Sequence, residues 1–132
     1  MDHTADVGIQ VFGADLADLF EKAGLALFDV ICELKDEKVD ETVQLAVDGD
    51  DLPDLMVNWL RELLYLWNGK EQLVKTIAIR SLTETAIGAA IGVEAFKPER
   101  HRILHEIKAV TYHRIQVEPT PNGYAATVIF DI

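Results

Sequence analysis

A second cysteine is missing from this chain, and with it go an internal disulfide and any zinc site built from several thiolates. The lone thiol, Cys32, lies on the apolar face of a predicted helix and reads as a buried structural group. No stretch approaches the ~18–20 continuous apolar residues that a spanning helix needs. The first residues are acidic and lack the basic-then-apolar order of a secretory signal. A soluble protein of the cytoplasm, without a membrane partner, is therefore expected. Positive charge is also scarce, with 12 Lys and Arg against 23 Asp and Glu and a net charge of −11. The densest basic stretch, Lys97 to Arg102, holds three cations around Pro98 and Glu99. Direct nucleic-acid binding needs a basic patch to displace counterions, so none is expected. A strongly acidic surface instead steers a cationic partner, and it also serves solubility.

Several catalytic signatures are absent too. No Walker loop, Gly-x-Gly-x-x-Gly turn or Gly-x-Ser-x-Gly elbow occurs, and Gly8, Gly13 and Gly24 are too scattered to cradle a phosphate. The two-histidine helical zinc motif is missing. His101 and His105 are four apart, but they fall in a charged loop after Pro98.

What is present is nearly half hydrophobic over 132 residues, enough for one domain, 1–132, with a real core. Val7, Ile9 and Val11 alternate with Gly8, Gln10 and Phe12, which predicts a short strand. Asp15 is a candidate N-cap for a helix from Leu16 to Ile31, carried by Leu16, Leu19, Phe20, Ala23, Leu27, Val30 and Ile31 at helical spacing. Gly24 within it costs helix stability and permits close packing. Val39 to Val47 predicts a second strand with Glu41 at a frayed end. Asp51 and Pro53 open a second helix, Leu52 to Trp67, whose stripe of Leu55, Met56, Trp59, Leu60 and Leu63 is broadened by Leu64 and Leu66. Asn68-Gly69 is the predicted stop. The remainder reads as strands: Leu73 to Ser81, Ile87 to Phe96, Ile107 to Glu118 and Tyr124 to Ile132. The order β-α-β-α-β-β-β-β predicts an α+β fold, a mostly antiparallel sheet of about six strands with two packed helices. With Asn122-Gly123 as central turn residues of the last hairpin, Val117 would pair with Val128 and Ile115 with Phe130. Arg114 would then face Asp131, and His113 would face Ile132.

The candidate chemistry sits at the two ends. Asp6 stands at the mouth of the first strand, where a carboxylate is commonly just solvated. Asp131 follows Val128, Ile129 and Phe130 directly, which predicts an ordered terminus rather than a frayed tail. If the ends meet, Asp6, Asp131 and the terminal carboxylate of Ile132 repel one another, and a hard cation resolves the repulsion. Oxygen-only ligands favour Ca²⁺, Mg²⁺ or Mn²⁺ over zinc or copper. His3 and His113 are candidates to orient these carboxylates, or are ordinary structural histidines. Lys108 would be a counter-charge or a contact for a partner's phosphate, or a solvated strand residue.

Asp2-His3-Thr4-Ala5-Asp6-Val7-Gly8-Ile9 resembles the opening signature of the archease family. The segments Trp59-Leu60-Arg61-Glu62-Leu63-Leu64-Tyr65, Ile107-Lys108-Ala109-Val110-Thr111-Tyr112-His113 and Phe130-Asp131-Ile132 fit the same family in the same order, across essentially the whole chain. The resemblance implies an accessory protein, itself no enzyme, of the RtcB-type RNA ligase that joins tRNA exon halves. It would promote guanylylation of that ligase and multiple turnover. The resemblance also implies a cation, most often calcium, held by Asp6, Asp131 and the carboxylate of Ile132. Partner-activating roles for Lys108, His3 and His113 are the matching expectation. Two other classes stay open: a chaperone-like helper acting through the second helix, and a metal-dependent phosphoesterase built on Asp6 and Asp131.

Overall fold

A computed structural model describes residues 6–33 and 38–132. The chain runs β1 (Asp6–Gly13), α1 (Leu16–Ile31), β2 (Cys32–Glu33), β3 (Glu41–Asp48), α2 (Leu52–Lys70), β4 (Gln72–Leu82), β5 (Ala86–Ala95), β6 (Arg102–Ile103), β7 (Ala109–Val110), β8 (Gln116–Thr120) and β9 (Gly123–Asp131). The longer elements follow the predicted order, and the fold is α+β with two helices and antiparallel strand pairings. The strands divide into β1-β9-β7 with β8 also on β9, a separate β3-β5-β4 sheet, and the short β2-β6 pair. No helix among the described residues is long and apolar enough to cross a membrane.

Both helices start with the same device. Asp15 Oδ1 accepts from the Asp18 N–H at 2.8 Å, and Asp18 Oδ2 accepts from the Ala14 N–H at 2.9 Å. Asp51 and Asp54 repeat the exchange at α2, with Asp50 as the returning donor. A carboxylate at the cap and another three residues on satisfy donors that the first turn leaves unpaired. The helix dipole favours the same negative charges.

Helix α1 ends where the spacing predicts, and Cys32 caps it in extended conformation rather than standing on its apolar face. The thiol is buried, and burial pushes its pKa up. Helix α2 runs past the predicted stop. Asn68 and Gly69 stay helical, and the left-handed position falls on Glu71 at φ 52°, whose N–H reaches Leu66 O and Trp67 O. Its apolar face is spent inward: Leu55, Met56, Trp59, Leu60 and Leu63 are fully buried, and Leu64 and Leu66 nearly so. The Trp59 indole N–H donates to Phe20 O at 2.9 Å and ties α2 to α1. Gly24 lets α1 pack closely against its neighbours. A β-carbon there would stand 2.6 Å from Ile77 Cδ1 and 2.8 Å from Leu63 Cδ1.

Strand β9 is central to its sheet. On one side β1 pairs along its whole length, from Asp6 with Asp131 to Gly13 with Tyr124. On the other side two separate segments share its edge, β8 against Gly123 to Thr127 and β7 against Phe130 and Asp131. The predicted strand from Ile107 to Glu118 is therefore interrupted. Thr111 still bonds Ile129 O through both its N–H and its hydroxyl, and then the chain turns, with Arg114 left-handed at φ 54°. The final hairpin keeps a two-residue loop but turns one residue earlier than expected. Thr120 pairs with Gly123, so Pro121 and Asn122 form the loop and Val117 pairs with Ala126. The expected register, with Val117 on Val128 and Arg114 on Asp131, is two residues out. The slip preserves which face each side chain takes, since the period is two. Pro121 fits the first loop position because its φ is already fixed.

Candidate functional site

Strand β1 alternates cleanly. Val7, Ile9 and Val11 turn toward the core, while Asp6, Gly8, Gln10 and Phe12 are exposed. Their partners on β9 follow suit: Val7 lies opposite Phe130 and Ile9 opposite Val128, both fully buried. Directly opposed residues share a face, so the next pair outward, Asp6 and Asp131, places two carboxylates side by side on the solvent face. Such neighbours have Cβ atoms about 4.5–5.5 Å apart, and like charges there are unfavourable. Ile132 follows immediately and is half-buried.

The two ends of the described chain thus meet, and the reason is the pairing register rather than any attraction between the acids. The cost of opposing them is under about 1 kcal/mol, well below what the long β1-β9 ladder contributes, so the strands hold them together regardless. Both donors are carboxylate oxygens, which fits a hard cation such as Ca²⁺, Mg²⁺ or Mn²⁺ and not a thiophilic one. Among the described residues, no group of three His, Cys, Asp or Glu side chains gathers as a metal centre. A third ligand from this chain would be the carboxylate of Ile132 or a backbone oxygen.

The other expected residues are arranged as follows. Lys108 precedes β7, and its N–H donates to Asp131 O at 2.7 Å. Its exposed side chain lines a cavity against α2, together with Arg61, Leu64, Tyr65, Asn68 and Val110. Neither Asp6 nor Asp131 forms an ion pair with it among the described residues. His113 lies in the exposed turn after β7, its N–H on Thr111 Oγ1 at 3.3 Å. Asp131 takes Ala109 of β7 as its neighbour, not Arg114, and His113 does not pair with Ile132. The turn at 112–115 carries both residues out of the ladder. His3 lies outside the described residues.

Beside β7, Tyr112 and Asp54 form a second arrangement that the sequence did not announce. The Tyr112 hydroxyl donates to Asp54 Oδ1 at 2.6 Å, and the Arg61 guanidinium lies 4.8 Å over the Tyr112 ring. The hydrogen bond holds the Asp54 carboxyl below its ordinary range and raises the Tyr112 phenol. Arg61 Nε also donates to Val110 O at 3.2 Å, so α2 is fastened to β7 itself as well as to Tyr112 just after it.

A third cluster was missed altogether. Glu94, near the end of β5, is completely buried. Its Oε1 receives Lys75 Nζ at 3.1 Å and His101 Nε2 at 3.0 Å, and its Oε2 receives Arg100 Nε at 2.6 Å. His101 Nδ1 accepts from the Lys97 N–H at 2.9 Å, which leaves Nε2 to carry the proton toward Glu94. Burial alone would raise the Glu94 carboxyl, but the hydrogen bonds from Arg100, His101 and Lys75 overcome it and hold the pKa at about 2. Lys75 reaches inward from an irregularity in β4, between Val74 and Thr76. The readable signal was a charge interrupting each of two apolar strand runs.

Comparison with known proteins agrees with the geometry at its coarsest level. The model of the Archease protein family (MTH1598/TM1083) matches residues 1–132. A protein archease of Methanosarcina acetivorans is 35% identical over 136 residues, covering 100% of this chain and 93% of that one. One from Pyrococcus furiosus is also 35% identical, covering 99% and 95%. Among solved structures, protein 1598 of Methanobacterium thermoautotrophicum superposes with TM-score 0.77 at 29% identity, covering 100% of this chain and 96% of the other. A Thermotoga maritima protein, described as an archease and possible chaperone, shares the fold with TM-score 0.68 at 20% identity, covering 100% and 94%.

Proposed function

The chain belongs to the archease family, and from that membership we propose that it is a protein cofactor of the RtcB-type RNA ligase. It promotes guanylylation and repeated turnover of that ligase in tRNA splicing and catalyses no reaction alone. The observation that carries the reading is the register pairing Asp6 with Asp131, which puts two carboxylates on one exposed face at the end of a rigid ladder. Asp6, Asp131 and the Ile132 carboxylate would hold a divalent cation; all-oxygen donors suit calcium, magnesium and manganese alike, and the family resemblance favours calcium. When bound, that ion supplies local positive charge at an otherwise acidic tip.

In this reading the acidic end docks beside the ligase's nucleotide site and biases the geometry of guanylylation. Lys108, exposed and anchored through its backbone to Asp131, contacts acidic or phosphate groups there. His113 lies in the exposed turn at the same sheet end and is the remaining described candidate for an orienting role. The net charge of −11 suits a protein partner and opposes direct RNA binding.

A chaperone-like role through α2 has less behind it, because the apolar stripe that would hold a client is buried in the core. Single-turnover guanylylation of the cognate ligase, with and without this protein, tests the proposal. Asp131→Ala is expected to abolish the stimulation while leaving the thermal midpoint nearly unchanged. Full stimulation by that variant would remove the acidic tip from the mechanism. Phosphoester turnover by the isolated protein would favour a hydrolase instead.

A further inference from the structure

We propose that the cavity between α2 and β7 receives one carboxylate-bearing side chain of a partner protein, with Arg61 as its principal contact, and so fixes the orientation in which the acidic end meets that partner. The inference rests on the functional reading above, which supplies the ligase as partner.

The cavity has a volume of about 290 Å³. Its floor is apolar, with Val110 fully buried and Leu64 nearly so, while Arg61 and Lys108 are exposed at its rim. Asn68 is already committed, its Nδ2 donating to Ile107 O at 3.0 Å. In a chain where acids outnumber bases almost two to one, two cations share this cavity, and no carboxylate among the described residues lies within ion-pair distance of either, the nearest acid influence on Arg61 being Asp54 beyond the Tyr112 hydroxyl.

Arg61 is held ready rather than free to swing. Its Nε is fixed on Val110 O, its guanidinium carbon lies 4.8 Å from the centre of the Tyr112 ring, and Tyr112 is itself pinned to Asp54. Arg61 is also hydrogen-bonded to the Tyr112 side chain, so what remains for an incoming carboxylate is the rest of the N–H donors on the terminal guanidinium nitrogens. Preorganisation lowers the ordering cost of a contact. An aspartate or glutamate matches the cavity in both parts, methylenes on the apolar floor and the charged head at the rim. A nucleic acid matches it poorly. Successive phosphates would have to run over the surrounding acidic surface to reach two cations.

The cavity is also mechanically joined to the acidic end. Lys108 lines it and bonds Asp131 O through its backbone, and Ala109 pairs with Asp131 in the ladder. A partner therefore meets a cationic socket and an acidic tip in a fixed relation. Adjacent patches of opposite sign reject reversed or shifted docking, because either error brings like charges together.

The experiment uses the full chain, the purified cognate ligase and its RNA. A photoreactive benzoylphenylalanine is placed at position 65, where the exposed Tyr65 ring borders the cavity. Cross-linked peptides are mapped, and ligase affinity is measured for Arg61→Glu. The expected result is a cross-link to a ligase segment bearing an exposed Asp or Glu, and at least tenfold weaker binding by Arg61→Glu. Replacing that ligase acid with Arg should restore most of the loss, which a merely structural Arg61 would not permit. Should Arg61→Glu melt early, Lys108→Glu serves instead, with an expected loss of threefold or more. Cross-linking to RNA alone, or wild-type affinity in a folded charge-reversed variant while Asp131→Ala remains inactive, overturns the socket and spares the functional reading. A wild-type protein that neither binds nor stimulates the ligase removes both.

Discussion

Glu94 and Asp131 occupy matching places, one the penultimate residue of a long central strand and the other the last residue of a second, and their surroundings are opposite. Glu94 is sealed from solvent and receives three cationic or proton-bearing side chains. Asp131 is half-exposed and faces another carboxylate. The contrast separates two uses of a charge. A buried carboxylate must have its partners within the chain, because nothing else offsets its lost hydration. An exposed one can be left opposed to its own kind at small cost, and it is then available for something outside the chain.

The largest effect expected from breaking this contrast is at Glu94. Glu94→Gln leaves Lys75 and Arg100 without their buried counter-charge and should cost about 3–5 kcal/mol, read from denaturant unfolding. A loss below about 1 kcal/mol would mean that the cluster is solvated. The same group sets the acid limit. Its folded pKa of about 2 lies below its ordinary value of 4.5, so the stability it lends is complete above pH 4.5. That stability drains away as the pH falls from 4.5 toward 2. Thermal midpoints across that range should drop for the natural protein, and the component due to this carboxyl should vanish in Glu94→Gln.

Asp131→Asn should do the reverse to stability. Removing one of two opposed charges leaves the fold unchanged or firmer by less than about 1 kcal/mol. A loss above 2 kcal/mol would show that Asp131 is a structural partner and not an idle charge. The smallest effect is expected at Tyr112. Its phenol, raised by the Asp54 hydrogen bond, should ionise at higher pH than an ordinary tyrosine. Asp54→Asn should bring it down, an outcome that ultraviolet titration resolves.

Much of the fold was legible because it follows local rules. Asp15 and Asp51 announce helix starts by capping chemistry, and Leu16 to Ile31 shows its length through unbroken three-four spacing. The strand alternation of Val7, Ile9 and Val11 gave the face on which Asp6 stands. The misses share one cause. Asn68-Gly69 looks like a stop, yet Glu71 supplies the left-handed turn. Ile107 to Glu118 looks continuous, yet Arg114 breaks it, because the edge of β9 is divided between two segments. Glu94 alternates with Val93 and Ala95, a pattern that ordinarily turns a charge outward. In fact β5 is buried along nearly all of its length, so parity no longer marks solvent.

The sequence by itself determined the helices, the strand faces, the acidic balance and the family, since each depends on neighbours a few residues apart or on a motif read in order. Tertiary structure alone decided which distant groups meet: Asp6 with Asp131, Glu94 with Lys75 and His101, and Arg61 with Tyr112. Those meetings are fixed by strand register, by a β4 irregularity and by the packing of α2 on β7. Each is a choice among pairings that local propensity leaves nearly equal, and the packing of the buried core makes it.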